Sequence, residues 1–231
     1  MDLRSFDALT FDCYGTLIDW ETGITHALGF LAARAGRDPT ELVELFGEIE
    51  REAESGPYRP YREVLADVSC AIAARFGISL EPGEETLLGE SVGDWPAHPD
   101  TQGAMRALKE RSRLGILSNV DHDLFEGTRP KLGVELDVVV TAEDVRGYKP
   151  GLAHFERGLE ALGLPAGRVL HVAESRFHDV EPANRMGIAV VHVDRSGGAG
   201  ATASGAGGGT PDLTVHTLAE LVDLIQGAAT T

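Results

Sequence analysis

Positive charge is scarce in this chain. Of its 231 residues only three are lysines, Lys109, Lys131 and Lys149, and 20 basic residues stand against 37 acidic ones, a formal net charge of −17. Such a surface repels nucleic acid and anionic membrane, so neither is an expected partner, while a small anion can still bind in a local positive pocket. Cysteine is scarce too. Cys13 and Cys70 lie far apart in the sequence, which points to reduced thiols rather than a disulfide framework. No apolar run approaches the roughly 20 residues of a membrane span, and the acidic N-terminus does not have the pattern of a signal peptide. A cytoplasmic protein is the expectation. Hydrophobic content of 42% and charged content of 25% are ordinary for a globular chain, and the length allows one good core and a smaller second one. The oligomeric state, a homodimer included, is left open.

The stretch that organises the rest is at residues 8–18. Ala8-Leu9-Thr10-Phe11 runs into Asp12, Gly15 and Thr16, the pattern of a buried strand that ends in a tight turn. Asp12 is thereby placed at a strand's carboxyl end, where open α/β sheets bind their ligands. An aspartate capping a strand-to-helix turn would explain Asp12 alone equally well. Cys13 points to the opposite face by strand alternation and is expected in the core rather than as a nucleophile. Apolar positions at helical spacing follow over residues 24–35, 42–49 and 64–76, and no strand signal interrupts residues 21–94. Pro96 and Pro99 then end the helical block.

From Thr101 onward helices and strands alternate. Strands are expected to end at Leu117 and Val172 and to cover 138–140, 188–193 and 213–215; helices are expected over 101–111, from near Asp121, and over 151–162, 182–186 and 218–225. This alternation predicts an α/β fold with parallel strands and right-handed crossovers. Residues 196–209 are almost all Gly, Ala, Ser and Thr, the composition of a flexible surface loop, with no lysine or strand-to-helix turn to make a phosphate cradle.

Three later stretches carry candidate chemistry. Leu114-Gly115-Ile116-Leu117 ends in Ser118-Asn119; Gly147-Tyr148-Lys149-Pro150 follows; and the apolar run to Val172 ends in Ala173-Glu174-Ser175, with Asp179 beyond. With the Asp12 motif these come in an order, over almost the whole chain, that resembles the haloacid dehalogenase superfamily. The resemblance implies a Rossmann-like parallel sheet core at residues 1–18 and 96–231, with an inserted α-helical cap over 19–95 that closes over the strand ends and excludes water. It implies further that Asp12 is a nucleophile forming a covalent aspartyl intermediate. Lys149 would neutralise Asp12 and the developing charge, and Asp179 would pair with the lysine and position the hydrolytic water. A merely solvated Lys149 is the alternative.

Position 14 separates two branches of that superfamily. Its phosphatases carry a second aspartate two residues after the nucleophile, which protonates the leaving alkoxide. Tyr14 stands there in this chain. A phenol with a pKa of about 10 is a poor proton shuttle, whereas a halide leaves without a proton. Tyr14-Gly15-Thr16 therefore resembles the 2-haloacid dehalogenase branch and implies a hydrolase for a small anionic substrate, a short 2-haloacid, with no cofactor. Tyr14, Thr16, Ser118, Asn119 and Arg176 are the expected substrate-binding residues. Ser118 and Asn119 can hold a carboxylate or phosphoryl oxygen through hydroxyl, amide and backbone N–H groups, and can equally serve as a cap for the next helix.

Several positions depart from the dehalogenase pattern. Glu174 and Arg176 stand where those enzymes carry a serine and an asparagine. Glu174 resembles the first acid of the phosphatases, so Asp12, Glu174 and Asp179 make an alternative Mg²⁺ site for hydrolysis of a small phosphate ester. An ion pair of Glu174 with Arg176 or Lys149 would need no metal. A third reading is a catalytically weak small-anion-binding protein that keeps the fold. The early Trp-Arg pair, whose arginine receives the halide, has no counterpart in Leu45-Phe46-Gly47-Glu48. Arg59 and Arg62 are the candidates for that work, a loop packing its tyrosines being the alternative. Phe155 replaces a tyrosine six residues after the lysine. His171 and His178 are expected to be structural, since no second histidine sits at ligand spacing.

Overall fold

The computed structural model describes residues 1–196 and 208–227, so nearly all of the glycine-rich 196–209 segment lies outside the described residues. Six short runs form one parallel sheet: β1 Ala8–Phe11, β2 Arg113–Ser118, β3 Val138–Thr141, β4 Val169–Ala173, β5 Ala189–Val193 and β6 Leu213–Val215, in the order β3-β2-β1-β4-β5-β6. β1 and β4 are buried at every position, as expected of parallel strands covered by helices on both faces. Connections leave β1 in opposite directions, toward β2 and β3 on one side and β4 to β6 on the other. That reversal opens a crevice at the carboxyl ends of β1, β2 and β4. Register sets Thr10 on β1 opposite His171 on β4.

Between β1 and β2 lies a block of helices: α1 Trp20–Ala27, α2 Gly29–Ala35, α3 Pro39–Glu54, α4 Tyr61–Arg75 and α5 Leu87–Ser91. The helix expected over 24–35 is broken at Leu28, and the second piece starts on Gly29, a poor helix former. α3 starts cleanly, with the Asp38 carboxylate accepting from the Thr40 N–H and Pro39 in the first turn. Leu42, Val43, Phe46 and Gly47 make its buried face.

The helical block joins the sheet through two segments that run side by side. Ile18 and Ala97 form an antiparallel bridge, the Asp19 N–H donates to the Pro96 carbonyl at 2.8 Å, and the His98 N–H to the Leu17 carbonyl at 3.0 Å. Trp95 then lies flat on Gly23: a Cβ there would come within 2.2 Å of the indole, so only glycine lets α1 approach. Leu9, Phe11 and Ile116 of the sheet share one apolar cluster with Leu31, Leu42, Phe46 and Leu65 of the inserted helices, which seats the helical block on the strand ends. Each such buried side chain contributes roughly 1.5–3 kcal/mol.

The remaining helices are α6 Thr101–Lys109, α7 His122–Leu132, α8 Ala142–Val145, α9 Ala153–Leu162, α10 Glu181–Met186 and α11 Leu218–Gln226. A single π-helical turn, Arg176–Val180, runs into α10 and carries Asp179 inward. No helix among the described residues is long and apolar enough to cross a membrane.

Candidate active site

Asp12 continues the β1 ladder by one residue, its N–H donating to the Val172 carbonyl at 3.1 Å. The chain then turns sharply: Gly15 takes φ +99°, and the N–H groups of Leu17 and Ile18 both donate to the Cys13 carbonyl. The turn brings the Thr16 hydroxyl back to Asp12, where it donates to Oδ2 at 2.7 Å and accepts from the Glu174 N–H at 2.9 Å. Cys13 is buried in the core, as a small apolar residue would be.

Lys149 is 2% exposed, which rules out the solvated alternative. Its three protons go to Asp12 Oδ1 at 2.9 Å, Asp179 Oδ1 at 2.7 Å and the Leu117 carbonyl at 3.0 Å. Burial works against the ammonium, but the two carboxylates outweigh it and hold the lysine above its usual pKa. Burial likewise works against an ionised Asp179, yet Lys149 and His171 hold that carboxyl down at about 2. For Asp12 burial dominates and pushes the carboxyl up, with Lys149 and Thr16 opposing.

His171 lies behind Asp179. Its Nε2 is 2.9 Å from Asp179 Oδ1 and its Nδ1 2.9 Å from Thr10 Oγ1, so the ring bridges the carboxylate and the threonine. The Phe155 ring stands edge-on to the imidazole at 5.0 Å. Two buried oxygens at the site, Ser118 Oγ and Asp179 Oδ2, have no hydrogen-bond partner among the described residues.

These groups open on a pocket of about 680 Å³, mouth included. The sheet side contributes Asp12, Tyr14, Ser118, Asn119, Lys149, Glu174, His178 and Asp179; the inserted helices contribute Trp20, Phe46, Gly47, Glu50, Arg51, Glu54 and Tyr61. The site residues expected from sequence thus divide. Asp12, Tyr14, Ser118, Asn119, Lys149, Glu174 and Asp179 meet in one crevice, while Thr16 and Arg176 do not line it. Thr16 is fully buried and spent on Asp12 and the Glu174 backbone, so it positions the carboxylate instead of touching substrate. Arg176 is exposed and donates to the Gly209 carbonyl at 2.6 Å.

Two further expectations are corrected. Ser118 and Asn119 do not cap the next helix: α7 starts at His122 after Asp121, and the Asn119 side chain instead accepts from the Lys149 N–H at 2.7 Å and donates to Glu54 Oε2 at 3.1 Å. Arg59 and Arg62 pair on the surface with Asp67 and Asp123 and are not in the pocket wall. The arginine that lines it is Arg51 on α3. Tyr14 presents its ring to the pocket while its hydroxyl shares a hydrogen bond of 2.9 Å with Thr128, and burial pushes the phenol well above its usual pKa.

The wall that sequence reasoning missed is α3. Phe46, Gly47, Glu50, Arg51 and Glu54 fall on one face at spacings of three and four, so the apolar stripe continues into charged residues that are partly buried in the pocket wall. Glu50 accepts a hydrogen bond from the Tyr61 hydroxyl, and burial pushes its carboxyl up to about 7. Glu54 is pushed up further, by burial first and then by the charge of Glu50. His178 Nε2 is 3.9 Å from Glu54 Oε2, and burial lowers that imidazole to about 4, so it is neutral at pH 7.

Among the described residues no three His, Cys, Asp or Glu side chains gather as metal ligands would. Within the alternative set of Asp12, Glu174 and Asp179, the Lys149 ammonium stands between the two aspartates.

The family model for haloacid dehalogenase-like hydrolases matches residues 6–187. The chain is 28% identical over 231 residues to haloacetate dehalogenase H-2 of Moraxella sp. (strain B), with 96% of this chain and 99% of that protein covered. One crystallised L-2-haloacid dehalogenase superposes with a TM-score of 0.82 at 26% identity, over 96% of this chain and 99% of its own. The L-2-haloacid dehalogenase of Xanthobacter autotrophicus, solved with chloropropionic acid covalently bound, has the same fold, with a TM-score of 0.81 at 20% identity over 97% of this chain and all of its own.

Proposed function

The chain belongs to the haloacid dehalogenase-like hydrolases, and from that premise we propose that it cleaves the carbon–halogen bond of a short 2-haloacid through an Asp12 ester. One observation carries the choice of leaving group. The tyrosine beside the nucleophile has its hydroxyl committed to Thr128, 2.9 Å away. The neighbouring position thus offers no acid for an alkoxide, and a halide needs none. The names of the relatives, haloacetate and L-2-haloacid dehalogenases, support the same class.

In the first step an Asp12 carboxylate oxygen attacks C2 and the halide leaves with the bonding pair. The substrate carboxylate is held by the Ser118 hydroxyl and neighbouring N–H groups, and Arg51 receives the halide. In the second step a water bound at Asp179 Oδ2 attacks the ester carbonyl carbon. Lys149 and the Thr16 hydroxyl stabilise the oxyanion that forms on the Asp12 side chain. Collapse releases the 2-hydroxy acid and restores the carboxylate, with one proton passed to solvent. His171 and Thr10 position Asp179 rather than touch the substrate. On this reading residues 19–95 act as the cap and 1–18 with 96–231 as the core, and the enzyme works in the cytoplasm without a cofactor.

Asp12→Asn tests it. The fold should survive, since the amide is nearly isosteric, and halide release from 2-chloropropionate should fall at least about 10⁴-fold. A single turnover in ¹⁸O water should label the wild-type Asp12 carboxylate. Label confined to the hydroxy acid would mean direct attack by water and would remove Asp12 from its role. Phosphate release from sugar phosphates that EDTA abolishes, with no halide release, would turn the reading to a Mg²⁺-dependent phosphatase.

A further inference from the structure

Five carboxylates line the pocket, Asp12, Glu50, Glu54, Glu174 and Asp179, against two cationic side chains, Lys149 and Arg51. All three protons of Lys149 are already given to Asp12, Asp179 and the Leu117 carbonyl. Two of these carboxyls belong to the α3 wall. Glu50 and Glu54 stand one helical turn apart on α3, and the Glu54 side chain is only 5% exposed. Its Oε2 accepts from Asn119, but its Oε1 has no hydrogen-bond partner among the described residues. A buried, unpartnered carboxylate oxygen in a pocket wall marks a place where a donor is missing.

We propose that Glu54, with Glu50 beside it, forms a subsite for a protonated amino group, and that the substrates of this enzyme are halogenated amino acids rather than plain 2-haloacids. This rests on Asp12 hydrolysis as described above and names the substrate class for it. The bond changes are those described above with attack moved from C2 to the halogen-bearing side-chain carbon: Asp12 displaces halide from C3, water splits the ester, and a hydroxy amino acid, a halide ion and one proton are formed. The ammonium is a spectator that fixes the orientation. The substrate carboxylate goes to the unpartnered Ser118 hydroxyl on the sheet side, the ammonium to Glu54 on the helical side.

The groups around this wall agree with a cation. Glu54 faces Glu50 on its own helix, Tyr61 on α4, Asn119 after β2, Tyr148 and Lys149 before α9, and His178 on the π-helical turn, while Arg51 acts on Glu50 and His178. Burial pushes both carboxyls up, and at Glu54 the charge of Glu50 adds to it. A bound ammonium would relieve both effects and let them ionise.

The test compares alanine with propionate, which differ by the ammonium alone, as ligands of the wild-type enzyme near neutral pH and at constant ionic strength. Alanine should bind at least about tenfold more tightly, and Glu54→Gln should reduce the ratio to within about twofold. Propionate binding as well as alanine in the wild type overturns the subsite, and a preference that survives in Glu54→Gln overturns the assignment to Glu54. Circular dichroism and melting check the fold of the variant; the wild-type comparison stands without it. Halide release from 3-chloroalanine and 2-chloropropionate separates the two readings. An alanine preference with no halide from either compound keeps the subsite and sinks the hydrolysis. Faster turnover of 2-chloropropionate with no alanine preference does the reverse.

Discussion

Two pairs of carboxylates line the pocket, and they differ in the partners that hold them. Asp12 and Asp179 share the Lys149 ammonium, with N···O distances of 2.9 and 2.7 Å. Glu50 and Glu54, on α3, have a phenol and an amide for hydrogen-bond partners, Tyr61 and Asn119. Asp179 is held at about 2, although it is completely buried. Glu50 rises to about 7 although it keeps some contact with solvent. Residue type does not decide which carboxylate stays charged. The Lys149 ammonium outweighs desolvation in Asp179, whereas in Asp12 burial outweighs that same ammonium and in Glu50 it outweighs the phenol.

The strongest way to break this contrast is Lys149→Met, which turns the core pair into an exaggerated copy of the cap pair. Two buried carboxylates would lose their ammonium, so the variant should be less stable by about 3–5 kcal/mol in urea melts. Halide release should drop at least about 10³-fold. A melt superimposable on that of the wild type would mean that the core pair does not need the lysine. Glu50→Gln acts on the other side. The folded-state pKa of Glu50 lies above the ordinary 4.5, so its contribution to stability is complete below 4.5 and is lost as pH rises through about 7. Glutamine removes that loss. Above pH 7 the variant should gain roughly 2 kcal/mol, a figure reduced from the full linkage value for the residual solvent contact, and below pH 4.5 it should gain nothing. Equal gains at both ends would place the effect elsewhere. Tyr61→Phe sharpens the comparison with the smallest change. The phenol lowers Glu50, so without it the Glu50 titration, followed by NMR of the side-chain carboxyl carbon, should move upward from about 7. A downward shift would contradict the hydrogen bond as described.

Much of the fold was legible along the chain. Expected strands at 138–140 and 188–193 correspond to Val138–Thr141 and Ala189–Val193, because a parallel strand covered on both faces is a short, nearly continuous apolar run. The break at Leu28 was not visible, since the apolar spacing continues through it. Within the site, residues next to a strand end or a turn were legible: Asp12, Ser118, Lys149 and Asp179. Residues in the middle of regular elements were not. Thr10 and His171 are cross-strand neighbours that meet only when β1 pairs with β4, and in sequence each is a polar residue in an apolar run. Arg51, Glu50 and Glu54 look like the solvated side of an amphipathic helix, and only the seating of α3 on the strand ends makes them a pocket wall. Arg176 erred the other way: it sits inside the acidic motif, but the π-helical turn sends its side chain toward Gly209.

By itself the sequence determined the order of strands and helices, the turn that presents Asp12 and the absence of an acid at position 14. All of these follow from local chemistry: apolar periodicity, a glycine that permits φ +99°, and the identity of one side chain. Tertiary structure alone decided which charges share a water-poor space. Protonation and partnership are sums over elements distant in sequence, Asp12 with Lys149 across 137 positions and Glu54 with Asn119 across 65, and no local pattern encodes the burial that sets their cost.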